Sequence, residues 1–146
     1  MGDAFFLEAK TGKLVWKRNL AEEENCKAPV WGFTSSRLSL GDEILYHIGA
    51  QPLGAVVALN QKTGVTHWKV GKEAMAGYAS PSFLALVGQT QLVYWGPNKI
   101  MGLPVGGGSY GAFPTKSNMG FRSHSPFFGK GLFWCADIGT VPGRFA

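Results

Sequence analysis

Short apolar runs rich in valine, leucine, isoleucine and aromatic residues alternate with glycine-bearing turns along the whole chain, a pattern of strands. The runs predict strands over Ala4–Glu8, Leu14–Lys17, Phe33–Leu38, Glu43–His47, Ala55–Leu59 and Val65–Val70. A second series covers Tyr78–Leu84, Gln91–Trp95, Lys99–Leu103, a segment near Ser109–Phe113, Ser123–Phe128 and Gly131–Ala136. Asn60–Gly64 falls between two runs and suits a tight hairpin, because Gly64 can take the positive φ such a turn needs.

The runs are organised by a repeat. Phe6–Trp16 and Ala58–Trp68 both carry Lys-Thr-Gly with a tryptophan four residues after the glycine. Between these copies a second signature recurs in Gly32-Phe33-Thr34-Ser35, Gly77-Tyr78-Ala79-Ser80 and Gly120-Phe121-Arg122-Ser123-His124-Ser125. Ser35, Ser80 and Ser125 are spaced by 45 positions each time. A period of about 40–45 residues with four strands per unit is that of a β-propeller blade. The expected fold is therefore all-β: an incomplete arc of four-stranded blades, with a partial blade over residues 1–20, blades over 31–70 and 77–113, and a partial blade over 120–146. A closed ring takes about four to eight blades. The expectation is thus a fragment of a larger propeller, with an assembling piece or an open arc as the other options.

Composition agrees and narrows the classes. Twenty-one glycines in 146 residues is about twice the usual share of roughly 7%, too many for a helical bundle. An apolar share of 45% with only 16% charged residues excludes disorder. The net charge of +5 comes from scattered lysines and arginines with no run of three, so it reads as a solvated strand surface, and no nucleic-acid partner is expected. No apolar stretch reaches membrane-spanning length, and the first residues do not read as a signal peptide.

The Thr-Gly-x-x-x-Trp units resemble the tryptophan-docking repeats of the pyrroloquinoline-quinone-like (PQQ-like) β-propeller family. Ala58, Asn60, Thr63, Gly64 and Trp68 follow the family pattern, with Asn60 in place of an acidic residue; Glu8, Thr11, Gly12 and Trp16 follow it in the first copy, where Phe6 stands in place of alanine. A third copy over Leu103–Gly108 keeps the turn and loses the threonine and the tryptophan. The resemblance implies that Thr11, Gly12, Trp16, Thr63, Gly64 and Trp68 staple adjacent blades together. It also implies one of two functions: a non-catalytic scaffold that binds a protein or small ligand at its rim, or part of the catalytic propeller of a PQQ-dependent alcohol or sugar dehydrogenase. The dehydrogenases carry a disulfide between adjacent cysteines and an aspartate near calcium. Cys26 and Cys135 are not adjacent and no acidic cluster accompanies either, so the scaffold is the expected function. PQQ and calcium enter only where further blades complete a quinoprotein site. By the same resemblance the expected location is periplasmic or otherwise extracytoplasmic in a bacterium, with remaining blades or further copies as partners.

Other candidate chemistry is weak. Gly106–Gly111 matches G-x-G-x-x-G, but Ala112-Phe113-Pro114 offers no helix to receive a pyrophosphate, so a turn is expected. His47, His67 and His124 fall in separate strands, and no metal site is expected. The acidic run Ala21–Cys26 reads as a solvated loop or a single helical turn. No catalytic residue is assigned. Loops on a rigid scaffold carry function, which makes Trp31, Tyr78, Phe121, Arg122 and His124 the candidates for contact with a ligand or partner.

Overall fold

The computed structural model describes residues 1–86, 88–96 and 99–105 in full, and the backbone of 111–114, 127–129 and 132–134. Twelve strands and one helical turn are present among them: β1 (Asp3–Leu7), β2 (Leu14–Asn19), α1 (Leu20–Glu23), β3 (Leu38–Leu40), β4 (Glu43–His47), β5 (Val56–Asn60), β6 (Thr66–Val70), β7 (Ser82–Leu86), β8 (Gln89–Trp95), β9 (Lys99–Pro104), β10 (Gly111–Pro114), β11 (Phe127–Gly129) and β12 (Leu132–Trp134). They form four antiparallel sheets in chain order: the pair β1-β2, the four-stranded sheets β3-β4-β5-β6 and β7-β8-β9-β10, and the pair β11-β12. The chain is all-β.

Two strands begin later than the residue pattern implies. The segment expected as a strand over Phe33–Leu38 reaches extended pairing only at β3, because Gly32 turns the chain at φ +77° and the Ser36 amide donates to Ser80 Oγ of the next sheet at 2.7 Å. The segment expected from Tyr78 starts at Ser82, directly after Pro81, which has no N–H to give a ladder. The acidic run contains the helical turn α1, capped by Asn19, whose Oδ1 accepts from the Glu22 amide. Its carboxylates are not merely solvated: Glu24 meets Lys69 at 2.6 Å and Glu23 pairs with Arg18.

The two turns that carry Thr-Gly have the same internal wiring. In one, the Gly12 amide donates to the Glu8 carbonyl and the Glu8 amide to the Lys13 carbonyl; in the other, Gly64 donates to Asn60 and Asn60 to Val65. The threonine hydroxyl caps each turn, Thr11 accepting from the Lys13 amide and Thr63 from the Val65 amide. Asn60 Oδ1 accepts from the Lys62 and Thr63 amides, an Asx turn that explains why asparagine serves where glutamate serves in the first copy. Gly12 and Gly64 sit at φ +69° and +72°. Both strand pairs slip register at the same point, between Phe6 and Leu7 and between Ala58 and Leu59.

The sheets pack face to face. Along β5, Val56 and Ala58 join Leu45, Leu92, Tyr94, Met101 and Leu103 in one core, whereas Val57 and Leu59 join Ala4, Trp16, Leu20 and Tyr46 in another. Both faces of β5 are therefore covered, which is why its sequence is apolar without alternation. Trp16 bridges β2 to the next sheet: its indole lies on Gly64, whose missing Cβ would stand 2.8 Å from Trp16 Cδ2, and Nε1 donates to the Gln61 carbonyl at 2.7 Å. Arg18 adds a second tie, with Nη1 donating to the Gly64 carbonyl at 2.7 Å and to Thr66 Oγ1 at 2.9 Å. Trp68 holds a different partner among the described residues, its Nε1 donating to the Glu43 carboxylate at 3.0 and 3.1 Å.

Candidate functional site

Gly32 and Gly77 open the segments that lead into β3 and β7, and the residues beside them carry the aromatic rings singled out from sequence. The structure brings two of these together. The Trp31 and Tyr78 rings lie 5.3 Å apart at 43°, and the Trp31 amide points at Tyr78 Oη at 3.4 Å. Trp31 is 61% exposed and Val30 beside it 87%, while Tyr78 is half-buried. The pair thus presents an indole face to solvent on a base fixed by the neighbouring sheet. Phe121, Arg122 and His124 lie outside the described residues, as do Cys135 and the glycine-rich Gly106–Tyr110 stretch.

A small cavity of about 140 Å³ opens next to the start of β3, where Ser35, Ser36 and Arg37 meet Asp3, Tyr46 and His47. The Arg37 guanidinium sits 5.7 Å from the Tyr46 ring centroid. Burial raises the Tyr46 phenol above its ordinary value, and the nearby Arg37 cation opposes that rise. Asp3 places an acid in the same lining, so the cavity has no single sign of charge.

Sequence reasoning missed the most buried polar group. Glu73 follows β6 in a Gly-Lys-Glu loop, the sort of position that reads as solvated, yet it is 6% exposed. Its carboxylate accepts from Tyr94 Oη at 2.8 Å and from the Lys72 amide at 3.1 Å, and meets Lys99 Nζ at 2.9 Å. Burial alone would raise the Glu73 carboxyl; the Lys99 and Tyr94 hydrogen bonds and its own backbone amide outweigh it and hold the group below its ordinary value. Burial, reinforced by the Glu73 charge, pushes the Tyr94 phenol far up. His47 packs edge-on against Tyr94 at 4.9 Å, 3% exposed, with no hydrogen-bond partner at either ring nitrogen. Burial brings its imidazole down to about 4, against the pull of Glu73, so it is neutral at physiological pH. The cluster ties the loop after β6 to β8 and β9 and presents no exposed nucleophile.

No group of three or more His, Cys, Asp or Glu converges on a metal-sized point among the described residues. Cys26 is a half-buried free thiol, which burial raises above its ordinary value, with the Glu24 charge adding to the rise. The described residues thus assemble neither the calcium donors nor the adjacent-cysteine pair of a quinoprotein site. No helix among them is long and apolar enough to cross a membrane. No known protein family matches the chain, and neither does any curated protein.

Proposed function

We propose that this chain is a binding module of the PQQ-like propeller type, a non-catalytic scaffold that contacts a protein or small ligand through the aromatic pair Trp31–Tyr78. The observation that carries this reading is the exposure of the Trp31 indole on a ring of the adjacent sheet, 47 residues away in sequence. A large aromatic with few torsions, held rigidly and left in water, contributes binding energy at low entropic cost, and tryptophan and tyrosine dominate interface energetics for that reason. The propeller part of the reading is supported by the two 4-stranded meanders, the matched Thr-Gly turns and the seat of Trp16 on Gly64. By resemblance, such a module works outside the cytoplasm of a bacterium, in a ring larger than these residues make alone.

Panning a displayed random-peptide library on the immobilised chain tests this. Peptides should be enriched on the native chain and bind Trp31→Ala more weakly by about tenfold or more, the ~1.4 kcal/mol or greater loss typical of an aromatic anchor. Equal binding to both forms refutes the site. Titration with PQQ and calcium, followed by a dye-linked alcohol assay, tests the catalytic alternative; quinone binding with turnover would displace the scaffold reading.

A further inference from the structure

The two ends of the chain are complementary. In both complete sheets the strands add in chain order, each antiparallel to the last, and the second strand pairs with the third. The hairpin β1-β2 carries the Thr-Gly turn that joins the third and fourth strands of the sheet β3–β6, so it is the second half of such a sheet. The hairpin β11-β12 precedes no further strand and follows a complete sheet, so in chain order it is a first half. β1 pairs with β2 alone and β12 with β11 alone, which leaves one backbone edge of each open.

Exposure singles out the same end. On β1-β2, Ala4, Trp16 and Arg18 face the neighbouring sheet, whereas Phe5 is 48%, Leu7 53%, Leu14 51% and Val15 50% exposed. Lys17, 5.3 Å above the Phe5 ring, is the cation over this patch. The turn beside it is open too: a Cβ on Gly12 would meet nothing within 4 Å, although the same turn at Gly64 is filled by an indole. An open strand edge next to an exposed apolar face is a template for pairing with another sheet.

We propose that a second copy of this chain occupies that edge, its β12 pairing antiparallel with β1 so that β11-β12 of one copy and β1-β2 of the other make one four-stranded sheet. The partner's β7–β10 sheet then covers Phe5, Leu7 and Val15. A second copy is the occupant because each chain holds at one end the half-sheet it lacks at the other. Two copies joined reciprocally leave no open half and carry six four-stranded sheets, within the range of about four to eight that closes a ring. The inference rests on strand order and exposure, and stands apart from the role given to Trp31.

Sedimentation velocity of the full chain from micromolar to millimolar concentration tests it. The expected species has twice the chain mass of 15.7 kDa and dissociates on dilution. Phe5→Glu with Val15→Glu, both on the exposed face, should shift the equilibrium to monomer, and Val30→Glu on a distant loop should not. Amide hydrogen exchange reads the same event without mutation: β1 amides should gain protection as concentration rises. A chain that stays monomeric throughout, forms open polymers, or dimerises without protection of β1 overturns the proposal.

Discussion

Two glycines in equivalent turns offer an internally controlled measurement of what the Trp16 indole contributes. Gly12 and Gly64 have the same φ within a few degrees and the same turn hydrogen bonds, so alanine at either position meets the same backbone penalty, about 1–2 kcal/mol. They differ in what lies outside. At Gly12 the added methyl enters open space; at Gly64 it stands 2.8 to 3.2 Å from three atoms of the Trp16 ring system, a clash that the ring can relieve only by leaving its seat. A buried tryptophan covers about 150–250 Å², worth about 4–6 kcal/mol at ~25 cal/mol per Å² if lost in full. The Gln61 carbonyl also loses its 2.7 Å donor, about 1 kcal/mol more. Because the ring is displaced rather than removed, about half of that total is expected, which sets Gly64→Ala about 2–3 kcal/mol below Gly12→Ala. Urea unfolding followed by far-ultraviolet circular dichroism, on monomeric protein, gives both values on one scale. Equal losses, within about 0.5 kcal/mol, would mean that the indole seat contributes nothing measurable and that burial of Trp16 is incidental.

Two further expectations concern the buried polar cluster. His47 has a folded value of about 4 against 6.5 in the open chain, so the unfolded state takes up a proton that the fold refuses. Stability is complete above pH 6.5, falls by about 3 kcal/mol as pH drops toward 4, and should lose that slope in His47→Leu; an unchanged slope refutes the assignment. Glu73 is depressed instead by its partners, so its stabilisation is present above the ordinary carboxylate value and is lost at lower pH, as the folded group protonates. Glu73→Gln should cost about 1–2 kcal/mol at neutral pH, a figure reduced by the half-exposed state of Lys99, and should converge with the native chain in acid; a constant difference down to pH 2 counts against it.

How far the sequence revealed these features depends on whether the cause is local. Hairpins were legible because a Thr-Gly turn fixes its own geometry: Thr63 Oγ1 and Asn60 Oδ1 satisfy amides within three residues, and the strands on either side follow. The starts of β3 and β7 were not legible, because residues 33–37 and 78–81 are composed like strands but direct their polar atoms to another sheet, as Ser36 does to Ser80. Glu73 was hidden for the same reason. A glutamate in a loop after a strand carries no mark of burial until Tyr94 and Lys99, more than twenty residues on, supply a donor and a cation. Trp31 and Tyr78 could be chosen singly, as aromatics beside glycines, but their 5.3 Å approach depends on how consecutive sheets stack.

That stacking also explains why one end of the chain is chemically different from the middle. A strand such as β5, with Val57 and Leu59 on one face and Val56 and Ala58 on the other, cannot satisfy both faces within its own sheet, so every sheet of this type requires a neighbour on each side. For β3–β6 the neighbours are β1-β2 and β7–β10. For β1-β2 the chain supplies only the inner neighbour, and Phe5, Leu7, Leu14 and Val15 remain half in water. Full burial of four such side chains from half exposure is worth about 3–6 kcal/mol, half of the ~1.5–3 kcal/mol each would gain from complete transfer. That gain is comparable with what holds many small domains folded. The energetic demand for another sheet at this face therefore arises from the same two-sided burial that builds the core, and a surface charge introduced at Phe5 or Val15 acts on assembly while leaving the packed interior of β3–β6 unchanged.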